Sequence, residues 1–309
     1  MSGGTSAGMT TVEAPGLPAD WFNGWLAAIG VTVMAEGVKL SWSEDPVPHA
    51  LFHVPEGLRL EERLATRLSD REWIDSDPIA RHLDGYPEFP RKVSLETYRA
   101  RAKLEREQKT GTLAASVSDT NPDADPADLE HGPLDVPMPR GETLWERAKR
   151  CQESLSRFPD LVGRVRQTLL GEAERLPLAG LGFDAKRTPS GVLEASSPHV
   201  DPVVELMCFA ALRLFPAHTG ARGRGGVLGR GWTGSSRRQG SFIYVTWRIP
   251  LDCWGIDAFL DVVWSTRERL TRRFGRFLSP VKFEVVPYKT SGSSDVTSAF
   301  FTRARAEGS

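Results

Sequence analysis

Cysteine is scarce in this chain. Its three cysteines, Cys151, Cys208 and Cys253, are scattered and form no C-x-x-C pair. Such spacing offers neither a zinc ribbon nor a disulfide framework. Long hydrophobic runs are missing too: no apolar stretch approaches the roughly 20 residues of a membrane span. The opening MSGGTSAGMTTVEAPG lacks the basic start and apolar stretch of a signal peptide. These absences predict a cytoplasmic protein with no membrane role. Catalytic and nucleotide signatures are absent as well. There is no G-x-S-x-G nucleophile elbow and no G-x-x-x-x-G-K-S/T phosphate loop. The dinucleotide pattern G-x-G-x-x-G fails because, counted from Gly223 and Gly225, Leu228 takes the last glycine's place. No cofactor is expected.

What is present suits a globular protein. The 309 residues are 40% hydrophobic and 26% charged, enough for one large or two ordinary domains with a sizeable core. Nine tryptophans predict aromatic-rich cores or exposed stacking surfaces. The net charge of -1 hides an asymmetry. From Asp201 onward there are 16 Lys/Arg against 9 Asp/Glu, so the first 200 residues carry the acidic excess. A basic C-terminal third attracts an anionic polymer, and an acidic remainder repels it or meets a protein. Uneven surface charge without a partner is the plainer alternative.

Patterning predicts an α+β fold, with two helix-then-strand halves joined by helices and a long polar loop. Residues 1–16 are small and unpatterned and read as disordered. An N-terminal α+β region covers 17–109. In it Asp20 suits a helix N-cap, Phe22, Trp25, Leu26, Ile29 and Val33 share one helical face, and Gly37 stops the helix. VKLSW and HALFHV follow as strands. GLRLEERLATRL and LETYRARAKLEREQK read as charged helices. Residues 110–141, rich in Pro, Asp, Ala and Ser, read as a linker or long loop.

A C-terminal α+β region covers 142–290. Its helices are ETLWERAKRCQESLSRF, DLVGRVRQTLLGEAERL, an apolar DPVVELMCFAALRLF opened at Asp201 or Pro202, and IDAFLDVVWSTRERLTRRF. Its strands are FIYVTWRIPL and PVKFEVVPYK. Residues 291–309 form a polar tail whose Phe300–Phe301 pair is suited to docking.

The most distinctive stretch is ARGRGGVLGRGWTGSSRRQG, from Ala221. It holds five arginines, seven glycines and no carboxylate, and it leads into a core strand. Arginine forks match phosphate oxygens, and glycine lets the backbone follow a ligand. Arg222, Arg224, Arg230, Arg237 and Arg238 are therefore candidate phosphate contacts, with Trp232 a candidate stacking platform. Arg269, Arg272 and Arg273, at the end of the late helix, are candidate additions. Two plainer readings stand beside these: a solubilising hairpin tip for the loop, and dipole-complementing charge for the helix end. His49 and His53 fall on one face of a strand, but two histidines without a nearby carboxylate or cysteine are a weak ligand set, and no metal is expected. His199 and Asp201 could pair, but Asp201 is better explained as a helix cap. Asp184, Lys186 and Arg187 in GFDAKR read as a charged turn in preference to a site.

Three stretches together resemble a known family. They are DWFNGWLAAIGVTVMAEGVKLSW, GFDAKR with the later DPVVELMCFAALRLFP, and FIYVTWRIPL running on to a helix. They are similar to the small accessory subunits of type I-G (formerly I-U) CRISPR systems and to related regions of that subtype's large subunit. The resemblance touches about residues 20–50 and 181–265 and leaves the 110–141 stretch unexplained. It carries over no catalytic residue. It implies a non-catalytic subunit of a guide-RNA surveillance complex, partnered by guide RNA or target DNA and by other subunits. Such complexes grip the nucleic-acid backbone and leave sequence reading to base pairing. Two other classes stay open: a protein-binding adaptor working through the acidic N-terminal part, and a metal enzyme built on His49 and His53.

Overall fold

The computed structural model describes residues 8–76, 144–181, 199–215, 231 and 242–266, with short strand segments at 92–93, 129–130, 282–285, 287–288, 300–301 and 305–306. Helices and strands are mixed, as the patterning predicts for an α+β protein. The first described element is strand β1, Met9–Pro18, which corrects the expectation of disorder for residues 9–16; residues 1–7 lie outside the described residues. Composition misleads here because β1 is held by pairing. It runs antiparallel to β3, His49–Pro55, with Thr10 opposite Val54 and Ala14 opposite Ala50. On the other side of β3 lies β2, Lys39–Trp42, so the order is β1-β3-β2. The segment Trp247–Leu251 extends this sheet: Leu40 and Leu251 exchange backbone hydrogen bonds of 2.8 and 3.0 Å, and Trp42 N donates to Trp247 O at 2.9 Å. Two steps along β2 span four along that segment, so Arg248–Pro250 bulge from the ladder.

Helix α1, Phe22–Met34, was expected to bury one face. Instead every residue except Val33 is buried. Its N-cap is Trp21, with no side-chain cap bond, so Asp20 does not take that role. Gly37, at φ +84°, turns the chain into β2, a backbone region that L side chains rarely adopt.

Helix α2, Leu60–Ser69, is amphipathic and turns Leu60, Leu64, Ala65 and Leu68 inward. The short α3, Glu72–Ser76, brings Trp73 edge-on to Phe209 at 6.1 Å between ring centroids. After α4, Leu144–Ser154, comes α5, Leu161–Leu170, capped by Asp160 and closed by Gly171 at φ +79°. That left-handed glycine ends the helix before EAERL, which was expected to continue it. Helix α6, Pro202–Ala211, starts as predicted: Asp201 caps it by accepting from Val203 N.

Helix α6 is buried over all ten residues and packs on α1. The two backbones nearly touch, because a Cβ on Gly30 would overlap the carbonyl oxygen of Met207. The second sheet is β6-β5-β4, formed by Arg305–Ala306, Lys282–Val285 and Phe242–Val245. Two-residue ladders join Lys92–Val93 to Leu129–Glu130 and Pro287–Tyr288 to the expected docking pair Phe300–Phe301. Helix α7, Cys253–Thr266, follows the bulged segment. LETYRARAKLEREQK and nearly all of 110–141 lie outside the described residues.

A single hydrophobic cluster runs from Ala14 to Leu260. The two halves therefore share one core. Their joint is aromatic: Trp25 meets Tyr244 at a tilt, with 4.6 Å between ring centroids, and Phe22, Phe215 and Phe242 close around them. Three side-chain donors fasten it: Tyr244 OH to Ala19 O at 2.6 Å, Trp25 Nε1 to Val245 O at 3.1 Å and Trp247 Nε1 to Leu40 O at 2.8 Å. Burial, with Asp20 nearby, pushes the Tyr244 phenol well up, so it stays a donor. Among the described residues no helix is long and apolar enough to cross a membrane.

Gly30→Ala tests the helix crossing. The added methyl meets backbone, which cannot rotate away, so a loss of about 1–3 kcal/mol or more is expected. Denaturant unfolding at unchanged m-value checks it. A stability equal to wild type would show that α1 and α6 do not meet at Gly30.

Candidate functional site

The candidate phosphate contacts Arg222, Arg224, Arg230, Arg237 and Arg238, the candidate stacker Trp232, and Arg269, Arg272 and Arg273 all lie outside the described residues, as does GFDAKR. One residue within the arginine-glycine stretch is described. Gly231 is buried, at φ +84°, and its carbonyl accepts from Ile243 N at 2.7 Å. A Cβ there would come 2.5 Å from the Phe242 ring. Only glycine satisfies both conditions, the positive φ and the contact with an aromatic core. The stretch is thus tied at its middle to β4, and Arg230 and Trp232 are the covalent neighbours of the tie.

A buried polar centre, absent from the sequence-based candidates, lies beneath α6. Glu205 is 3% exposed, and its carboxylate accepts from Asn23 Nδ2 at 2.9 Å and from Leu181 N at 2.6 Å. Arg147 donates to Gly180 O at 2.8 Å, so both sides of the Gly180–Leu181 peptide are held. A second group sits at the start of α6. Arg164 Nη2 meets Asp201 Oδ1 at 2.8 Å, with both side chains buried, and Thr168 Oγ1 donates to Asp201 Oδ2 at 2.7 Å. Arg164 also donates to Glu174 O and lies over the Phe158 ring at 4.5 Å. Every oxygen of Asp201 is therefore used by the fold. Cys151 lies near these groups, and its thiol is pushed well up by burial, with Glu205 adding to the effect. A thiol so held is a poor nucleophile. The one visible signal for this centre was the carboxylate of Glu205 inside the otherwise apolar VVELMCFAA.

The two histidines share the outer face of the first sheet, as expected from their spacing. Four residues along a strand is roughly 13 Å, too far for one ion to bind both. Among the described residues no group of three or more His, Cys, Asp or Glu could hold a metal. His49 Nδ1 faces Asp45 Oδ2 and Ser43 Oγ, each at 3.1 Å. Asp45 and Ser43 share one ring nitrogen, and the acid on the other side, Glu13, stands 3.9 Å from Nε2, beyond hydrogen-bond reach, so no acid is bonded across the ring from the hydroxyl as a hydrolytic triad requires. His53 bridges three strands, with Nε2 2.8 Å from Ser41 Oγ and Nδ1 3.3 Å from Thr11 Oγ1. Ser41 is 3% exposed, which closes it to a substrate. These contacts are cross-strand ties.

Both the buried pair and the sheet histidine can be tested by stability. Asp201→Ala strips Arg164 of its partner in the core and removes the α6 cap, so a loss of about 3–5 kcal/mol is expected in denaturant unfolding. An unchanged midpoint would mean that Arg164 is solvated. For His53, burial and then the Lys39 charge hold the imidazole below its usual range. The unfolded chain therefore binds the proton more readily, and the fold loses stability as pH falls through the ordinary histidine value of about 6.5. The stability gap between wild type and His53→Gln should narrow from about pH 7.5 to about pH 5.5, on either side of that value. A gap constant with pH would show that His53 is solvated.

No protein-family model matches this chain, and no curated protein or solved structure compared with it does either.

Proposed function

We propose that this chain is a non-catalytic, nucleic-acid-binding subunit of a type I CRISPR-associated surveillance complex. It holds an RNA or DNA backbone through Arg222, Arg224, Arg230, Arg237 and Arg238, with Trp232 stacking on a base and Arg269, Arg272 and Arg273 adding charge. The observation that carries this reading is the tie at Gly231. A stretch with five arginines and no carboxylate is fastened to the core at its midpoint by a glycine that packs on Phe242. A merely solubilising insert has no need of a buried anchor, whereas a binding loop gains from one because less chain entropy is lost on binding. The basic balance of the C-terminal third supports the same reading, as does the resemblance of 20–50 and 181–265 to type I-G subunits. Other subunits of the complex are then its protein partners.

The test is equilibrium binding of a fluorescent 20-mer of single-stranded RNA or DNA across a salt series. Replacing the five loop arginines with alanine should weaken binding at least about tenfold. It should also flatten the slope of log affinity against log salt by about 0.7 for each phosphate no longer neutralised. The same affinity and salt slope in the variant would remove the loop from the interface. No binding by wild type would remove nucleic acid from the function.

A further inference from the structure

Backbone hydrogen bonds in an antiparallel sheet alternate from side to side along each strand. The 2.9 Å bond from Glu56 N to Gly8 O sets that alternation for β1. Gly8, Thr10, Val12 and Ala14 turn their N–H and C=O groups toward β3, and Met9, Thr11 and Glu13 turn theirs outward. The neighbouring ladder agrees: Ser43 N donates to His49 O, so His49, Leu51 and His53 serve β2 and leave Ala50, Phe52 and Val54 to β1. Among the described residues nothing bonds the outward backbone groups of Met9, Thr11 and Glu13. All three residues are exposed, as is Thr10.

An open strand edge is ordinarily blunted by lysine, proline or a bulge. The far edge of this sheet has two of these, the bulge at Arg248–Pro250 and Pro250 itself. On β1 such devices begin only after Ala14, with Pro15 and the register shift before Pro18. From Gly8 to Ala14 there is no lysine and no proline, and the pairing with β3 is regular. The one charge there, Glu13, leans back over its own sheet, with its carboxylate 3.9 Å from His49 Nε2.

The groups on offer are main-chain, so what fits them is another extended strand. A second copy of β1 fits them in one register. With a two-fold axis at Thr11, each Thr11 meets its counterpart and each Met9 meets Glu13 of the second copy. Every outward group of the three residues is then bonded. A slip of two residues one way sets Met9 against Pro15, which has no N–H. A slip the other way carries Glu13 past Met9, where the strand begins. Side chains agree with the same register. A Thr–Thr pair across strands is favourable. Each Glu13 lies opposite Met9, so the two carboxylates do not face each other, and Met9, 42% exposed, gains a neighbour.

We propose that two copies of this chain join through β1, antiparallel about Thr11, to form one continuous sheet in the order β2-β3-β1-β1-β3-β2. A single strand pair is a small interface, so the dimer is reversible and grows with concentration. This goes beyond the nucleic-acid reading and does not depend on it, because the loop arginines take no part.

The test is sedimentation velocity of the full chain, nuclease-treated, from about 1 to about 100 µM. The expected result is a shift from monomer to dimer across that range. Thr11→Pro removes the outward N–H on the axis and spares the ladder to β3. Thr11→Lys sets like charges opposite each other and leaves the backbone alone. Each should raise the dissociation constant at least about tenfold. Should Thr11→Pro lower the melting temperature, Thr11→Lys reads the same contact. The five-alanine loop variant should dimerise as wild type does. The proposal is overturned if wild type stays monomeric, if either Thr11 variant dimerises as wild type does, if association runs on past the dimer, or if the loop variant is monomeric.

Discussion

The fold depends on how closely α1 and α6 approach. Both helices are apolar around nearly their whole circumference, and each needs neighbours on every side. Gly30 lets the α1 backbone rest against Met207 O. That contact draws Asn23 to Glu205, and the Cys208 thiol to Asn23 O at 3.3 Å. Two segments 182 positions apart in sequence are thereby locked into one core. A central helix pair of this kind leaves no room for separate N- and C-terminal domains, even though the sequence repeats a helix-then-strand theme.

Close packing constrains the polar groups caught in it. A buried carboxylate is tolerated when its oxygens are hydrogen-bonded. Glu205 and Asp201 meet that condition with partners drawn from α1, α5 and the Gly180–Leu181 peptide. The cost of burying an ion pair can exceed its attraction. The Arg164–Asp201 pair is therefore better understood as fixing where α6 begins than as a source of stability. It sets the angle at which the chain enters the helix from His199 and leaves it toward Phe215. Phe215 in turn packs on Phe242 at 6.0 Å, next to the glycine that ties the arginine-rich stretch.

Much of the local structure was legible in the sequence. Asp201 followed by Pro202 marks the start of α6, the alternation of HALFHV marks β3, and the spacing in GLRLEERLATRL marks α2. What escaped was decided by distant partners. The strand β1 has few large apolar residues and exists because β3 offers it a ladder. The all-round burial of α1 looked like a single face because Gly24, Ala27, Ala28 and Gly30 are too small to register as hydrophobic, yet they admit the neighbours that cover the other faces. Asn23 and Arg164 read as ordinary helix residues until their buried partners are seen. Of the candidate site, the sequence showed the residue types of the loop but not its anchor. Gly231 is one of seven glycines there, and nothing in the sequence marks it as a residue that meets Phe242.

Gly231 and Trp254 are both tied to the run from Phe242 to Ile256. Gly231 is hydrogen-bonded to Ile243, and Trp254 is positioned by Leu251 and Asp252. Between these points Tyr244, Val245 and Trp247 are bonded to Ala19, Trp25 and Leu40. The connecting run is thus pinned at successive residues to the most buried part of the molecule.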